Sequence, residues 1–417
     1  MIHRIRGVKD VLPDDISLWY TAEQAAHRLA QSYGFKEIRT PMFEDTSLFV
    51  RSIGGETDIV EKEMYTFPDR DGTSLTLRPE GTASVVRAFI ENRLLNTPTS
   101  RKLYYIGPMF RHERPQAGRF RQFHQFGVES IGSPSPMIDI EVISLLWRFF
   151  SSLQIDGLAL EVNSLGVSTE RQQFKDALLG FLVPISANLC GNCQRRMHSN
   201  TLRVLDCKVP SCRTATAEVP TLSSFLSSSS SDHFQQVLEG LDLLNIPYVL
   251  NHRLVRGLDY YSRTTFEVTC HSLGAQNAIG AGGRYDGLLE TLGGRPSPGV
   301  GFAIGLERVI SVLPESVILP PTPLVYVAGF GQNGQQSGMC VLEALRANGI
   351  MADTDFQSST LKTHLRSADR LGATLTIILG DDECQNGQAI LRNMSSKQQE
   401  FLPIDAVPDT LKTRLSS

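Results

Sequence analysis

Three arginines set the chemical question in this sequence. Arg111 ends an apolar run in Phe110-Arg111-His112-Glu113. Arg256 lies inside Leu254-Val255-Arg256-Gly257-Leu258-Asp259-Tyr260-Tyr261, and Arg308 follows the glycine-punctuated Gly299-Val300-Gly301-Phe302-Ala303-Ile304-Gly305. A guanidinium is permanently charged and costs several kcal/mol to bury without an anion. Each of the three sits beside glycine or at the end of a predicted strand, where small residues let a flat ring or a phosphate approach the backbone. Alone, the octapeptide fits a structural salt bridge equally well; the three arginines together point to a polyphosphate ligand.

A second group accompanies them. In Phe123-His124-Gln125-Phe126-Gly127-Val128-Glu129 the two-residue period of a strand puts Gln125, Gly127 and Glu129 on one face and His124, Phe126 and Val128 on the other. Arg111 shares parity with Tyr105, Gly107 and Met109, so it projects over the polar face. An arginine, an amide and a carboxylate then form a platform for a ligand of both charges. His112 and His124 have no nucleophile nearby and read as structural. Cys190, Cys193, Cys207 and Cys212 form two close pairs, which either close an S4 zinc site or stand as reduced thiols.

These residues need a scaffold, and at 417 residues the chain is long enough for two or three cores. Trp19, Ala22, Ala26, Leu29 and Tyr33 recur at helical spacing from Asp15 to Tyr33, and Gly34 ends that helix. Phe35 to Pro41 alternates as a strand until the proline stops the ladder. Leu75 to Arg78, Leu103 to Arg111 and Phe120 to Glu129 also read as strands, with helices at Ala83 to Leu95 and Ile138 to Phe150. This predicts an α+β domain built on an antiparallel sheet. From about 168 to 245 a helical inserted subdomain is expected, in which the serines 227 to 231 form a loop capping a helix from Asp232. The sheet pattern resumes at Tyr248 and closes near Leu313, and Pro314, Pro320, Pro321 and Pro323 mark a linker. Strand and helix alternation beyond it predicts a small α/β domain with a mostly parallel sheet. The expected boundaries are 1–318 with the insertion about 168–245, a linker 319–323, and 324–417.

A formal net charge of −4 means that a nucleic acid would have to meet a local basic patch rather than a generally basic surface. Met1 to Gly7 lacks the apolar core of a secretory signal, and no run approaches the roughly 20 apolar residues of a membrane span. A cytoplasmic location without a membrane partner is expected. Seven cysteines, an odd number here, argue against a disulfide framework.

The ordered motifs resemble those of a known family. Gly34-Phe35 through Pro41-Met42-Phe43, Phe110 to Glu129 and Gly299 to Arg308 are similar to the three motifs of class II aminoacyl-tRNA synthetases, in order and spacing. Arg6-Gly7-Val8-Lys9-Asp10-Val11-Leu12-Pro13, Leu77-Arg78-Pro79-Glu80-Gly81-Thr82, Leu254 to Tyr261 and Gly282-Gly283-Arg284-Tyr285-Asp286-Gly287 resemble the histidyl-tRNA synthetases among them. The resemblance covers nearly the whole chain. It implies a class II catalytic domain with a helical insertion and a C-terminal α/β anticodon-binding domain. The implied activity is ATP-dependent formation of histidyl-adenylate, followed by transfer of histidine to the 3′ end of its tRNA.

Residue by residue, the resemblance puts Arg111 and Arg256 at the α-phosphate as catalytic groups and Arg308 at the distal phosphates and adenine face. Glu113 and Arg119 join the ATP set, with Mg2+ held by the triphosphate and a carboxylate such as Glu113 or Glu307. Glu129 and Tyr261 would select the imidazole, Glu80, Gly81 and Thr82 would bind the α-amino group, and Gln125 the carboxylate region. Tyr260 and Tyr285 would line the pocket. Arg114 and Gln116 would reach the tRNA acceptor end, and Lys362, Arg366 and Arg370 would form a phosphate-tracking stripe opposite Leu361, Leu365 and Leu371, or an ordinary solvated face. The first motif, through Pro41, implies a homodimer. The competing reading is a non-catalytic histidine-sensing paralogue such as the regulatory subunit of ATP phosphoribosyltransferase. Those relatives typically lack the last domain and the arginine-bearing motifs.

Overall fold

A computed structural model describes residues 2–55, 57–96, 101–113, 118–274, 277–319 and 322–415. The chain forms two compact units, Met1–Leu319 and Pro320–Ser417. In the first, the apolar stripe expected near the N-terminus makes the helix Ile16–Ser32, burying Trp19, Ala22, Ala26 and Ala30. It stops where Gly34 takes φ 78, a left-handed conformation that glycine adopts without strain. The strand expected over Phe35 to Pro41 shrinks to Lys36–Glu37. Its continuation is diverted because the Arg78 guanidinium takes the carbonyls of Thr40 and Pro41, at 2.9 and 3.4 Å.

An eight-stranded sheet carries this unit. Its order is Lys36–Glu37, Lys102–Phe110, Gln122–Ile131, Gly299–Gly305, Ala278–Arg284, Ser262–Cys270, Leu158–Ser164 and Val249–Leu250. The two outermost pairs are parallel and every inner pair is antiparallel. One face packs Phe126, Val128, Phe302, Ile304, Phe266 and Val268 against the helices Ile16–Ser32, Pro136–Ser152 and Ser228–Leu243. On the other face the register aligns Tyr105, Gly127, Ala303, Ala281 and Glu267 in one row. Three small residues between a tyrosine and a glutamate leave a flat floor open to a ligand. At the Tyr105 end, Thr82–Glu91 supplies Val85 and Phe89 as a partial roof.

Three expectations need correction. Residues 75 to 78 do not join this sheet: Ser74–Leu77 is the middle strand of a separate three-stranded sheet with Phe43–Asp45 and Tyr65–Pro68. The serine run is not a loop, since Ser227 caps a helix that begins at Ser228, accepting from the Ser230 N–H at 3.4 Å. That helix buries Val237, Leu238 and Leu241 in the main core, so the insertion is narrower than 168–245. Its own core joins Phe174, Leu178 and Leu182 to Cys193, Met197, Leu202 and Cys212.

The second unit has a five-stranded sheet in the order Ala352–Asp353, Val325–Gly329, Leu375–Leu379, Gln388–Asn393 and Gln399–Pro403. Only the first three strands are parallel. The last two form an antiparallel hairpin, because the link from Asn393 to Gln399 is too short for a crossover.

Candidate active site

Under the Thr82–Glu91 helix the open face closes into a polar pocket. Glu129 is almost completely buried, at 1% exposure; its Oε1 accepts from the Thr82 hydroxyl at 2.7 Å and its Oε2 from the Tyr285 hydroxyl at 2.5 Å. Burial nevertheless pushes this carboxyl up to about 8. Tyr285 is held there by its neighbour Arg284, which is fully buried against Asp139 and donates to the Ser133 carbonyl at 2.7 Å. Tyr260 packs at a tilt against Tyr261, ring centres 4.7 Å apart, and meets Tyr285 edge-on at 5.9 Å, forming an aromatic wall. Gly283 keeps this wall close, since a Cβ there would lie 2.9 Å from the Tyr261 ring.

Glu80 faces this pocket with its carboxylate already engaged by the Thr82 and Ala83 N–H groups at 2.7 and 2.8 Å, at the start of the Thr82–Glu91 helix. Burial raises its pKa. Each carboxylate oxygen retains a second lone pair for a ligand. The Tyr105 hydroxyl and Gln125 Oε1 are buried without a hydrogen-bond partner. Leaving such atoms unpaired costs about 1–3 kcal/mol each, so a polar ligand atom within reach of either would be favoured.

The arginines stand further along the floor. Arg256 Nη1 pairs with Glu267 Oε2 at 2.5 Å, its carbon lies 5.8 Å from the Tyr261 ring, and its Nε is buried without a partner. Arg111 Nε donates to the Pro79 carbonyl at 2.8 Å, which ties it to the backbone beside Glu80. Glu113 lies 3.8 Å from Arg111 and 3.0 Å from Arg119. Arg308 donates to the carbonyls of Gly118 and Ala278, and burial and Arg119 lower its pKa. Arg111, Glu113 and Arg119 border a cleft of about 640 Å³ whose opposite wall is Arg195, Arg196 and Arg203 of the insertion. Glu63 shares it, and burial together with Glu113 raises its carboxyl pKa.

Three comparisons with known proteins bear on this arrangement. The histidyl-tRNA synthetase family profile matches residues 7–172 and 196–309, and the anticodon binding domain profile matches 324–414. The chain belongs to the histidyl-tRNA synthetase family. Among curated relatives, a histidine–tRNA ligase of Syntrophotalea carbinolica is 48% identical over 415 residues, 99% of each chain. Among solved structures, apo histidyl-tRNA synthetase of Staphylococcus aureus aligns with TM-score 0.83 and 38% identity, covering 99% of this chain and 100% of that one. A Bacillus halodurans chain titled as an ATP phosphoribosyltransferase regulatory subunit/histidyl-tRNA synthetase is 20% identical at TM-score 0.66 over 91% of this chain and 98% of that one; it shares the fold.

Against the family pattern, the fold gathers Glu80, Gly81, Thr82, Gln125, Glu129, Tyr260, Tyr261 and Tyr285 together, Arg111 adjoins them through Pro79 and leads to Glu113 and Arg119, Arg308 lies against Gly118, and Arg256 is beside Tyr261. Arg114 and Gln116 lie outside the described residues. The Glu307 carboxylate accepts from the His124 N–H at 2.9 Å and contacts the His124 ring at 3.0 Å. Lys362 and Arg366 are exposed and Arg370 is 74% exposed on the helix Leu361–Arg370; Leu371 is exposed as well, having left the helix before its inward face. The four cysteine sulfurs lie within 4.8 Å of one another.

Sequence reading passed over Tyr105, Glu63 and Glu267. Tyr105 had a signal, the parity it shares with Arg111, whereas Glu267 depends on which strand lies opposite. Tyr105 also explains two glycines, since a Cβ at Gly127 or Gly81 would fall inside its ring. Gly127→Ala is expected to raise the KM for histidine by roughly 10- to 100-fold with the KM for ATP little changed, as overpacking costs about 1–3 kcal/mol. Equal changes in both constants would show that the ring does not define the amino-acid pocket.

Proposed function

We propose that the protein is a histidine–tRNA ligase, activating histidine with ATP to histidyl-adenylate and pyrophosphate and passing the histidyl group to the 3′ end of its tRNA. The observation that carries this reading is the buried Glu129, aligned by Thr82 and Tyr285 at the aromatic end of the floor. A neutral imidazole has one N–H donor and one bare acceptor nitrogen, so a carboxyl on one side and the Tyr261 hydroxyl on the other match both. Glu80, Gly81 and Thr82 would receive the α-amino group and Gln125 the carboxylate region, while Tyr260 and Tyr285 wall the ring. A site built on ligand hydrogen bonds rejects analogues that lack them by about 10⁴ to 10⁵, so no editing domain is required.

In activation, a histidine carboxylate oxygen bonds to the α-phosphorus as the bond to the bridging oxygen breaks and pyrophosphate leaves. Arg111 and Arg256 would stabilise the charge gathering there, and Arg308 with Arg119 the distal phosphates; fixed cations do this better than water that must reorganise. Glu113, with Glu63 beside it, would offer hard oxygen ligands to the magnesium of the ATP complex, which would neutralise phosphate charge when bound. The four sulfurs of Cys190, Cys193, Cys207 and Cys212, within 4.8 Å of one another, support structural zinc in the insertion independently of the ligase reading. Residues 1–318 would be the catalytic domain and 324–417 the anticodon-binding domain. Met42 and Phe43, just past Pro41, are 51% and 54% exposed, which supports a homodimer through the first motif. No helix among the described residues is long and apolar enough to cross a membrane, and a cytoplasmic place accords with tRNA charging.

Pyrophosphate exchange into ATP with each amino acid in turn tests the reading. Exchange with histidine alone is expected; histidine binding without exchange would favour the regulatory paralogue. On the tRNA side, Lys362→Glu with Arg366→Glu is expected to raise the KM for tRNA about tenfold and to lower the salt dependence of binding by about one unit per lost phosphate contact. Pyrophosphate exchange should not change. An unaltered KM for tRNA would make the stripe a solvated face.

A further inference from the structure

The insertion contains a knot whose place relative to Arg256 is more informative than the cysteines alone. Cys190 and Cys207 sulfurs are 4.0 Å apart, and the Cys190 N–H donates to the Cys212 sulfur at 3.1 Å. A tetrahedral S4 zinc site with Zn–S bonds of about 2.3 Å has sulfurs about 3.8 Å apart, so the four need only contract slightly. Disulfides would need a sulfur pair at about 2.05 Å, and all four cysteines are unbridged. Cys193 and Cys212 are fully buried, while Cys190 and Cys207 are partly open.

Two helices leave this knot; one ends on a tether to Asp259 within the octapeptide and the other on a tether to Arg253 just before it. Gly191–Ser199 begins directly after Cys190 and carries Cys193; the residue that ends it, Asn200, donates to Asp259 Oδ1 at 3.2 Å. Pro210–Ala215 carries Cys212; the Thr216 hydroxyl that ends it donates to the Cys212 carbonyl at 2.8 Å. Arg253 grips that same threonine twice, donating to its carbonyl at 2.8 Å and its hydroxyl at 2.7 Å. The tethers flank Arg256 by three residues on either side. Val255 and Tyr261 belong to the same apolar core as Cys193 and Cys212. Four thiolates on a divalent ion carry net negative charge, and Arg253, close enough to Cys207 to interact with it electrostatically, offsets that charge.

We propose that the four cysteines bind one zinc ion and that this knot, acting through Thr216–Arg253 and Asn200–Asp259, sets the position of Arg256. Arg253 and Asn200 are positioning residues, and the effect on catalysis, though not on structure, rests on the ligase reading. Coordination by Cys190 and Cys193 at one helix and Cys212 at the other would add to the apolar burial that already holds the two short helices.

The test uses the full-length protein. Metal analysis after exhaustive dialysis is expected to find one zinc per chain; less than about half an equivalent, or iron in its place, overturns the site. Stripping the zinc with a thiol-binding mercurial and chelator is expected to speed amide hydrogen exchange about tenfold or more across residues 249–261, with Gln332–Ala347 of the second unit as the unchanged control. Zinc that can be removed without altering exchange at 249–261 overturns the coupling and leaves the metal site standing. Histidine-dependent pyrophosphate exchange should fall about 10- to 100-fold in kcat with little change in the KM for ATP, and return when zinc is restored. Faster amide exchange in a protein that shows no pyrophosphate exchange even when loaded would sink the ligase reading alone. Arg253→Met gives a second route that leaves all four cysteines in place. It should keep its zinc yet reproduce the faster amide exchange at 249–261, and unchanged exchange there would overturn the tether.

Discussion

Arg256→Ala is expected to slow histidyl-adenylate formation by about 10²- to 10³-fold, some 3 to 4 kcal/mol of transition-state stabilisation, while weakening ATP binding by less than about threefold. Arg256 is placed for a differential effect. In the free protein its charge is balanced by Glu267 at 2.5 Å, so ATP need not bind it for the arginine to be stable where it is. Its buried Nε has no partner and is available to charge that develops as the reaction proceeds. An interaction that strengthens only in the transition state raises kcat rather than lowering KM. Single-turnover adenylation and equilibrium ATP binding separate the two, and equal losses in both would make Arg256 a ground-state anchor. Arg256→Lys is expected to recover little, because an ammonium cannot keep the Glu267 contact and still present a second planar N–H.

Glu129→Gln has the larger expected effect, a loss on the order of 10⁴-fold in kcat/KM for histidine with an unchanged KM for ATP. The amide fills the same volume but cannot ionise to pair with the bound imidazole, and its NH2 end cannot accept from the Thr82 or Tyr285 hydroxyl as the carboxyl oxygen there does. A loss below about tenfold would remove Glu129 from histidine selection. The same variant carries a pH signature in the free protein. Burial raises the folded pKa of Glu129 from 4.5 to about 8, so the fold holds this proton more tightly than the unfolded chain does. That contribution to stability is complete below pH 4.5 and is lost progressively as pH rises to about 8. Glutamine does not titrate. The Tm of the variant relative to the parent should therefore climb between pH 5 and 8 and level off above it, and a pH-independent difference would mean that Glu129 is not buried as a neutral acid.

Much of this site was legible in the chain because strand parity is local. Gln125, Gly127 and Glu129 share a face by their spacing alone, and Phe126 and Val128 turn into the core opposite them. The glycine-rich Gly299–Gly305 announced a surface without side chains, and its register beside Gln122–Ile131 makes it one. The second unit was read correctly in its first three strands for the same reason. Elsewhere local preference was overridden. Serine is a modest helix former, yet residues 228 to 231 are helical because Val237, Leu238 and Leu241 further along dock on the core and carry the first turn with them. Ser74–Leu77 read as a strand and is one, but its partners come from segments that the sequence does not rank.

By itself, then, the sequence determined which side chains could carry the chemistry, which of them share a face, and, through the order of its motifs, the family. Those properties repeat every two or every three to four residues and need no knowledge of distant contacts. Only the tertiary structure decided that the Tyr105 ring packs against Gly81 and Gly127, that Glu267 balances Arg256, that His124 contacts Glu307, and that the cysteines share an apolar core with Val255 and Tyr261. Each of these depends on which residues meet across many intervening positions. Such meetings follow from sheet register and side-chain packing rather than from the periodicity of any one segment.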